Sequence, residues 1–229
     1  MEDNSAEYGG GICADDSILN ITDVIFVYNS AAKSGGGIYT FNSILNFTGS
    51  VIYGHNSAEY GGGISALNSI LNLTGSSNFK NNTVKRYGGG IYVQNSILIS
   101  SGNSTYRDNS ARHCCGGGIK TYVSALNFIG SNIFRSNSAR YGGGINVHNS
   151  TLIYTGNSSF RDNTARKSGG GVCAGGSTLD FTGDNIFRGN SAYKGSGGGI
   201  TVYNNSVLNL TGNNNFIRTQ PGKVVEESV

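Results

Sequence analysis

The stretch Phe134-Arg135-Ser136-Asn137-Ser138-Ala139-Arg140-Tyr141-Gly142-Gly143-Gly144-Ile145 decides how this chain is read. An aromatic residue is followed three places on by an asparagine, then by a small residue, three glycines and an isoleucine. Variants of it run from one end of the 229 residues to the other. The triple glycine leads into Ile12, Ile38, Ile64, Ile91, Ile119, Ile145, Val172 and Ile200, at spacings of 26 to 28 residues. Self-similarity at that period marks a repeat architecture in which each unit covers the apolar face of the next.

Other series keep step. Asparagines recur at Asn29, Asn56, Asn82, Asn109, Asn137, Asn163 and Asn190, with Asn4 ahead of them. Leucines recur from Leu19 to Leu208, and aromatics from Phe26 through Tyr53, Phe79, Tyr106, Phe134, Phe160 and Phe187 to Phe216. A small-residue series includes Ala31, Ala58, Ala111, Ala139 and Ala165.

Each repeat holds three short runs with the two-residue alternation of a half-buried strand: Leu45-Asn46-Phe47-Thr48, Ile91-Tyr92-Val93 and Phe134-Arg135-Ser136 are examples. Between them lie Gly, Asn and Ser, which tolerate turns. No window has helical apolar spacing, and 37 glycines disfavour a helical solenoid. The leucine-rich register, the calcium-binding Gly-Gly-x-Gly-x-Asp nonapeptide and a propeller's Trp-Asp signature are absent. The expectation is an all-β, right-handed parallel β-helix of about eight coils of 26–28 residues, with three short strands per coil. Equivalent side chains would stack in columns. The asparagines would hydrogen-bond along the axis and occupy left-handed turns, and the glycines would sit at positive φ or in tight packing.

One domain is expected over residues 1–217, as part of a longer solenoid, followed by a polar, non-repeat tail over 218–229. No apolar run is long enough for a membrane-spanning helix. A membrane link is expected only through a barrel or anchor beyond this chain.

Charge is unevenly distributed. Residues 1–79 carry one Lys against seven acids, while residues 80–194 carry 13 Lys or Arg against four. In the basic part, Lys80, Arg107, Arg135, Arg161 and Arg188 each follow the aromatic position, so alternation turns them outward in single file. Arg112, Arg140 and Arg166 form a second file. Such columns keep a rod soluble and resist lateral pairing. They also suit an anionic partner, such as a sulfated or sialylated glycan or a cell-surface protein. No exposed aromatic platform adjoins the file, so nucleic acid is not expected.

Catalysis is not expected. Asp108 and Asp162 share a register but lie two coils apart with Ser136 between them, roughly 9.6 Å along the axis. His55, His113 and His148 fall at unrelated registers. Cys13 and Cys173 occupy one outward position six coils apart, beyond disulfide reach, and Cys114 and Cys115 lie in a local expansion. A zinc site at His113, Cys114 and Cys115 would need further ligands, and neither metal nor cofactor is expected.

Pairing Gly-Gly-x-Ile with Phe-x-x-Asn once per repeat resembles the chlamydial polymorphic outer membrane protein family. Phe79 to Asn82, Phe134 to Asn137, Phe160 to Asn163 and Phe187 to Asn190 carry the second motif, Tyr53 to Asn56 and Tyr106 to Asn109 carry it with Tyr, and the eight glycine blocks carry the first. The third residue of the glycine motif is always Gly here, where that family commonly has Ala. The resemblance implies an autotransporter passenger, a non-catalytic adhesin-like β-helix at the outer-membrane surface or secreted, recognising a host or matrix partner. A pectate-lyase-like enzyme that cleaves polysaccharide, or a purely structural spacer, are the alternatives.

Overall fold

The structure is a computed structural model and describes residues 1–221. Among them there is no helix. The chain winds through four parallel sheets, returning to the same sheet once per repeat. Sheet 1 has nine strands, from Ser5–Tyr8 to Gln220–Pro221. Sheets 2, 3 and 4 have eight each, beginning at Ile12–Asp15, Ile18–Thr22 and Ile25–Val27 and ending at Ile200–Tyr203, Val207–Leu210 and Asn214–Ile217. The expected columns are present: Ile64 pairs with Ile91 and Ile91 with Ile119, in unbroken parallel register.

Each coil therefore has four strands, not three. The unexpected one is the Ser-Ala-Arg-Tyr segment, for example Ser138–Tyr141. Only its alanine is buried, and a bulge shifts the register after that alanine in nearly every coil. With one small inward side chain per strand, hydropathy alternation carries almost no signal. The strand forms because the coils on either side offer their backbone donors and acceptors.

Most of the interior is one continuous cluster. It joins the Ile/Val column of sheet 2, the Leu column of sheet 3 and the aromatic column of sheet 4. Rings stack face to face along the axis, with centroids 4.5 Å apart for Tyr106 and Phe134 and 4.8 Å for Phe134 and Phe160. That spacing is close to the roughly 4.8 Å between strands, so backbone pairing itself sets ring against ring. Ala31, Ala58, Val84, Ala111 and Ala139 form a second, smaller cluster under sheet 1.

The corners explain the polar repeats. Gly116 has φ +69°, and a Cβ on Gly117 would lie 2.4 Å from the carbonyl oxygen of Gly143 in the next coil. The first glycine of the block thus turns the chain, and the second lets coils approach. The recurrent asparagines are not themselves left-handed, contrary to expectation. The residue just before each one is: His55, Asn81, Asp108, Ser136 and Asp162 all have φ of 53° to 56°. Buried Asn side chains instead link coils, as Asn82 Nδ2 does to Asn109 Oδ1 at 3.0 Å. A serine file does the same at another corner, where the Ser69 N–H donates to Ser96 Oγ at 3.0 Å. That file, within the Asn-Ser-x-Leu repeat, escaped the sequence reading.

A polar, non-repeat tail was expected over residues 218–229. Arg218 takes a left-handed corner (φ 50°), and Gln220–Pro221 pairs with Ser191–Ala192. The remainder of that tail, 222–229, lies outside the described residues.

Candidate functional site

Sheet 4 carries the basic file. Strand register puts Lys80 beside Arg107, Arg107 beside Arg135, Arg135 beside Arg161 and Arg161 beside Arg188. Gly54 precedes the file and Ile217 follows it, so it is five cations long, about 19 Å at the strand spacing. Lys80 and Arg107 are half-buried, while Arg135, Arg161 and Arg188 are exposed. Arg107 Nε meets Asp108 Oδ2 at 3.2 Å, and Arg161 Nε donates to Ser159 Oγ at 2.8 Å. Among the described residues Lys80, Arg135, Arg161 and Arg188 form no ion pair with a carboxylate. Arg112, Arg140 and Arg166 are exposed on sheet 1, each one residue beyond the buried alanine column.

Asp108, Ser136 and Asp162 lie at the corner after sheet 4, in left-handed backbone, and their N–H groups bond to the carbonyls of Arg135, Arg161 and Arg188. Asp is tolerated there for the same reason Asn is, because its short side chain bonds locally. His55 stacks on Tyr28 at that corner (4.9 Å), His148 stacks on Tyr122 across sheet 2 (5.6 Å), and His113 is exposed in a bulged strand of sheet 1. The three do not meet. Among the described residues, no group of three or more His, Cys, Asp or Glu is arranged to hold a metal ion.

A second feature was not foreseen. Outward residues of sheet 2 include Tyr92, Lys120, Asn146 and Cys173, successive in register, and all four are buried. Cys173 was expected to point outward into solvent. It does lie on the outer side, yet it is covered, and Tyr203 crosses over the neighbouring Gly175. The cover comes from two flanking columns. One is the end of sheet 1, with Tyr87, Cys115 and Tyr141 in register. The other is the last residue of each sheet 2 strand, with Gln94, Tyr122 and His148 in register. Between these walls is a cavity of about 420 Å³. Lys120 is 6% exposed, and its Nζ donates to Asn146 Oδ1 at 2.7 Å. Burial pulls its ammonium down to about 8. Single outward tyrosines were visible in the sequence, but their convergence depends on how sheets 1 and 2 pack side by side.

Among the described residues, no helix is long and apolar enough to cross a membrane. Comparison with curated proteins and with solved structures finds no match. The Chlamydia polymorphic membrane protein repeat matches residues 23–40 and 76–94. Each matched segment runs from the strand of the stacked aromatic, Phe26 or Phe79, through the linking asparagine to the glycine corner and the strand after it. The family model thus matches two of the aromatic–asparagine–glycine units from which this parallel β-solenoid is built.

Proposed function

We propose that this chain is a non-catalytic recognition rod of a cell-surface or secreted protein, adhesin-like, and that its basic file binds an anionic glycan. The observation that carries the reading is the register of Lys80, Arg107, Arg135, Arg161 and Arg188, five cations on successive strands with one carboxylate partner among them. Cations at strand spacing face a linear polyanion with a matching array of charge, and each contact adds to a salt-sensitive attraction. The polymorphic membrane protein repeats support surface exposure. Asp108 and Asp162, held apart in register by Ser136, give no paired carboxylates for glycoside cleavage and support a non-catalytic role.

A sulfated and sialylated glycan array and a cell-binding assay test the proposal. Binding should weaken steeply with salt and be lost when Arg107, Arg135, Arg161 and Arg188 are all changed to Ala. Undiminished binding by that folded variant removes the basic file from the account. Cell binding that survives removal of surface glycans points to a protein partner instead. New reducing ends from a uronate polymer, abolished by Asp108→Asn or Asp162→Asn, would establish an enzyme, and silence in every assay would leave a structural spacer.

A further inference from the structure

We propose that the tyrosine-walled cavity around Lys120 is a second binding site, which takes an acidic sugar residue with its carboxylate on the Lys120 ammonium and its ring face against tyrosine. The site is on sheet 2, whereas the basic file is on sheet 4, with a whole strand between them in either chain direction. It extends the recognition reading but stands on different residues.

The first argument is the state of Lys120. Its ammonium has three donors, and the structure gives it one acceptor, the neutral Asn146 amide oxygen. No Asp or Glu lines the cavity. An amine with its pKa near 8 is still mostly charged at neutral pH, and a buried cation is costly unless an anion completes it. The rim is positive as well: the Arg140 guanidinium and Lys167 Nζ lie 5.6 Å and 5.9 Å from the centre of the Tyr141 ring.

The second argument is the shape and chemistry of the walls. A cavity of about 420 Å³ is of ligand size. Tyr87 and Tyr92 pack with Tyr60, with ring centroids 5.4 to 5.8 Å apart, and Tyr122 stacks with His148. These flat faces sit beside polar atoms of Gln94 and Asn146. A pyranose presents the complement, an apolar C–H face rimmed by hydroxyls. A planar aromatic acid would use the faces but leave the polar rim unmatched. Tyr60 continues one wall in the preceding coil, and Tyr8 and Tyr39 lie further along the same columns beyond Ser34 and Ser65, so a saccharide chain has interrupted aromatic surface along the rod.

Protonation sets the pH dependence. Cys114 is the competing internal anion: a hydrogen bond from Cys115 pulls its thiol down, against the opposing effect of burial, and Lys120 and Arg140 add to the pull. The Cys115 thiol is pushed up, first by that same hydrogen bond and then by burial, and burial pushes Cys173 up to about 11. His148 is pushed down by burial and by Lys120. As pH falls, Cys114 becomes neutral while Lys120 stays charged, so an external carboxylate binds better.

The test is calorimetric titration of the full chain with N-acetylneuraminic acid and with a glucuronate oligosaccharide, each beside its methyl ester. The acids should bind at least threefold more tightly at about pH 5.5 than at about pH 7.5, and the esters about tenfold more weakly than the acids. Lys120→Met should weaken the acids about tenfold, whether or not the basic file is intact. In the wild-type chain, bound acid should slow iodoacetamide labelling of Cys114, a readout that needs no variant to fold. Ester binding equal to acid binding, unchanged binding by Lys120→Met, or an equal response to benzoate overturns the proposal. So does binding lost only in the quadruple variant, which would leave the basic file as the site.

Discussion

Asn137 Oδ1 accepts two hydrogen bonds from Asn109, one from its backbone N–H and one from its Nδ2, both at 3.0 Å. The same Nδ2 also donates to the carbonyl of Phe79 at 2.8 Å. Each side chain thus satisfies a corner of the backbone in the preceding coil and donates to the asparagine oxygen of the next. All of these groups are buried, so each bond prevents an orphaned polar atom rather than merely adding attraction.

Truncating Asn109 to Ala should therefore strand the Asn82 N–H, the Asn82 Nδ2 and part of the Phe79 carbonyl's pairing. At ~1–3 kcal/mol for each orphaned group, the loss should be on the order of 3 kcal/mol or more. Urea denaturation followed by circular dichroism measures it. A loss below about 1 kcal/mol would mean that solvent reaches the corner and that the asparagine file matters little to stability.

The buried aromatic rings of sheets 3 and 4 contain an opposite case. The hydroxyls of Tyr53 and Tyr154 are buried without a hydrogen-bond partner, and burial pushes both well above the ordinary tyrosine range. Phe79 occupies the neighbouring place in the column of Tyr53, stacked at 4.5 Å, so the phenyl ring fits. Tyr53→Phe and Tyr154→Phe should each raise stability by about 1 kcal/mol. Destabilisation of that size in both would reveal a partner on the hydroxyl.

Glycine is required at some positions and not at others. Gly117→Ala forces a Cβ to within 2.4 Å of a backbone oxygen in the next coil, so the coils must separate, and a loss above about 4 kcal/mol is expected. Gly54→Ala meets nothing nearer than a methyl of Val27 at 3.2 Å and should change stability by less than about 1 kcal/mol. Thermal melts of the pair decide the matter. Similar effects at both sites would mean that coil spacing adapts to a Cβ.

Lys120 makes a prediction about pH. Its folded pKa of about 8 lies below its ordinary 10.5, so between these values the unfolded chain binds the proton and the folded chain does not. Stability should accordingly rise with pH through that window, and the penalty of burying the cation applies in full below it. Lys120→Met should be more stable than wild type below about pH 8, with the advantage shrinking toward pH 10.5. Denaturation of both chains across the range measures the difference. A constant gap would show that the amine is not desolvated.

Much of this was legible in the sequence, because a solenoid turns sequence period directly into spatial contact. Ile64, Ile91 and Ile119 stack because each is one coil from the next, and the same logic places Arg135 beside Arg161. The fourth strand was not legible, since Ser138–Tyr141 buries only Ala139 and pairs through backbone atoms. Nor was the left-handed residue at the corner, which is the variable position ahead of the asparagine: Asp108, Ser136 and Asp162 share a conformation but no single residue type.

The sequence by itself determined the period, the stacked columns and which side of three of the four strands in each coil faces the core. Alternation and repeat length fix these through local geometry alone. Only the tertiary structure decided which outward residues are dry. Lys120 and Arg135 both lie on the outer side, yet Lys120 is buried and Arg135 exposed, because sheet 1 and the last residues of the sheet 2 strands fold walls over the first and nothing covers the second. Side chains from neighbouring strands create that difference, and alternation along a single strand carries no record of it.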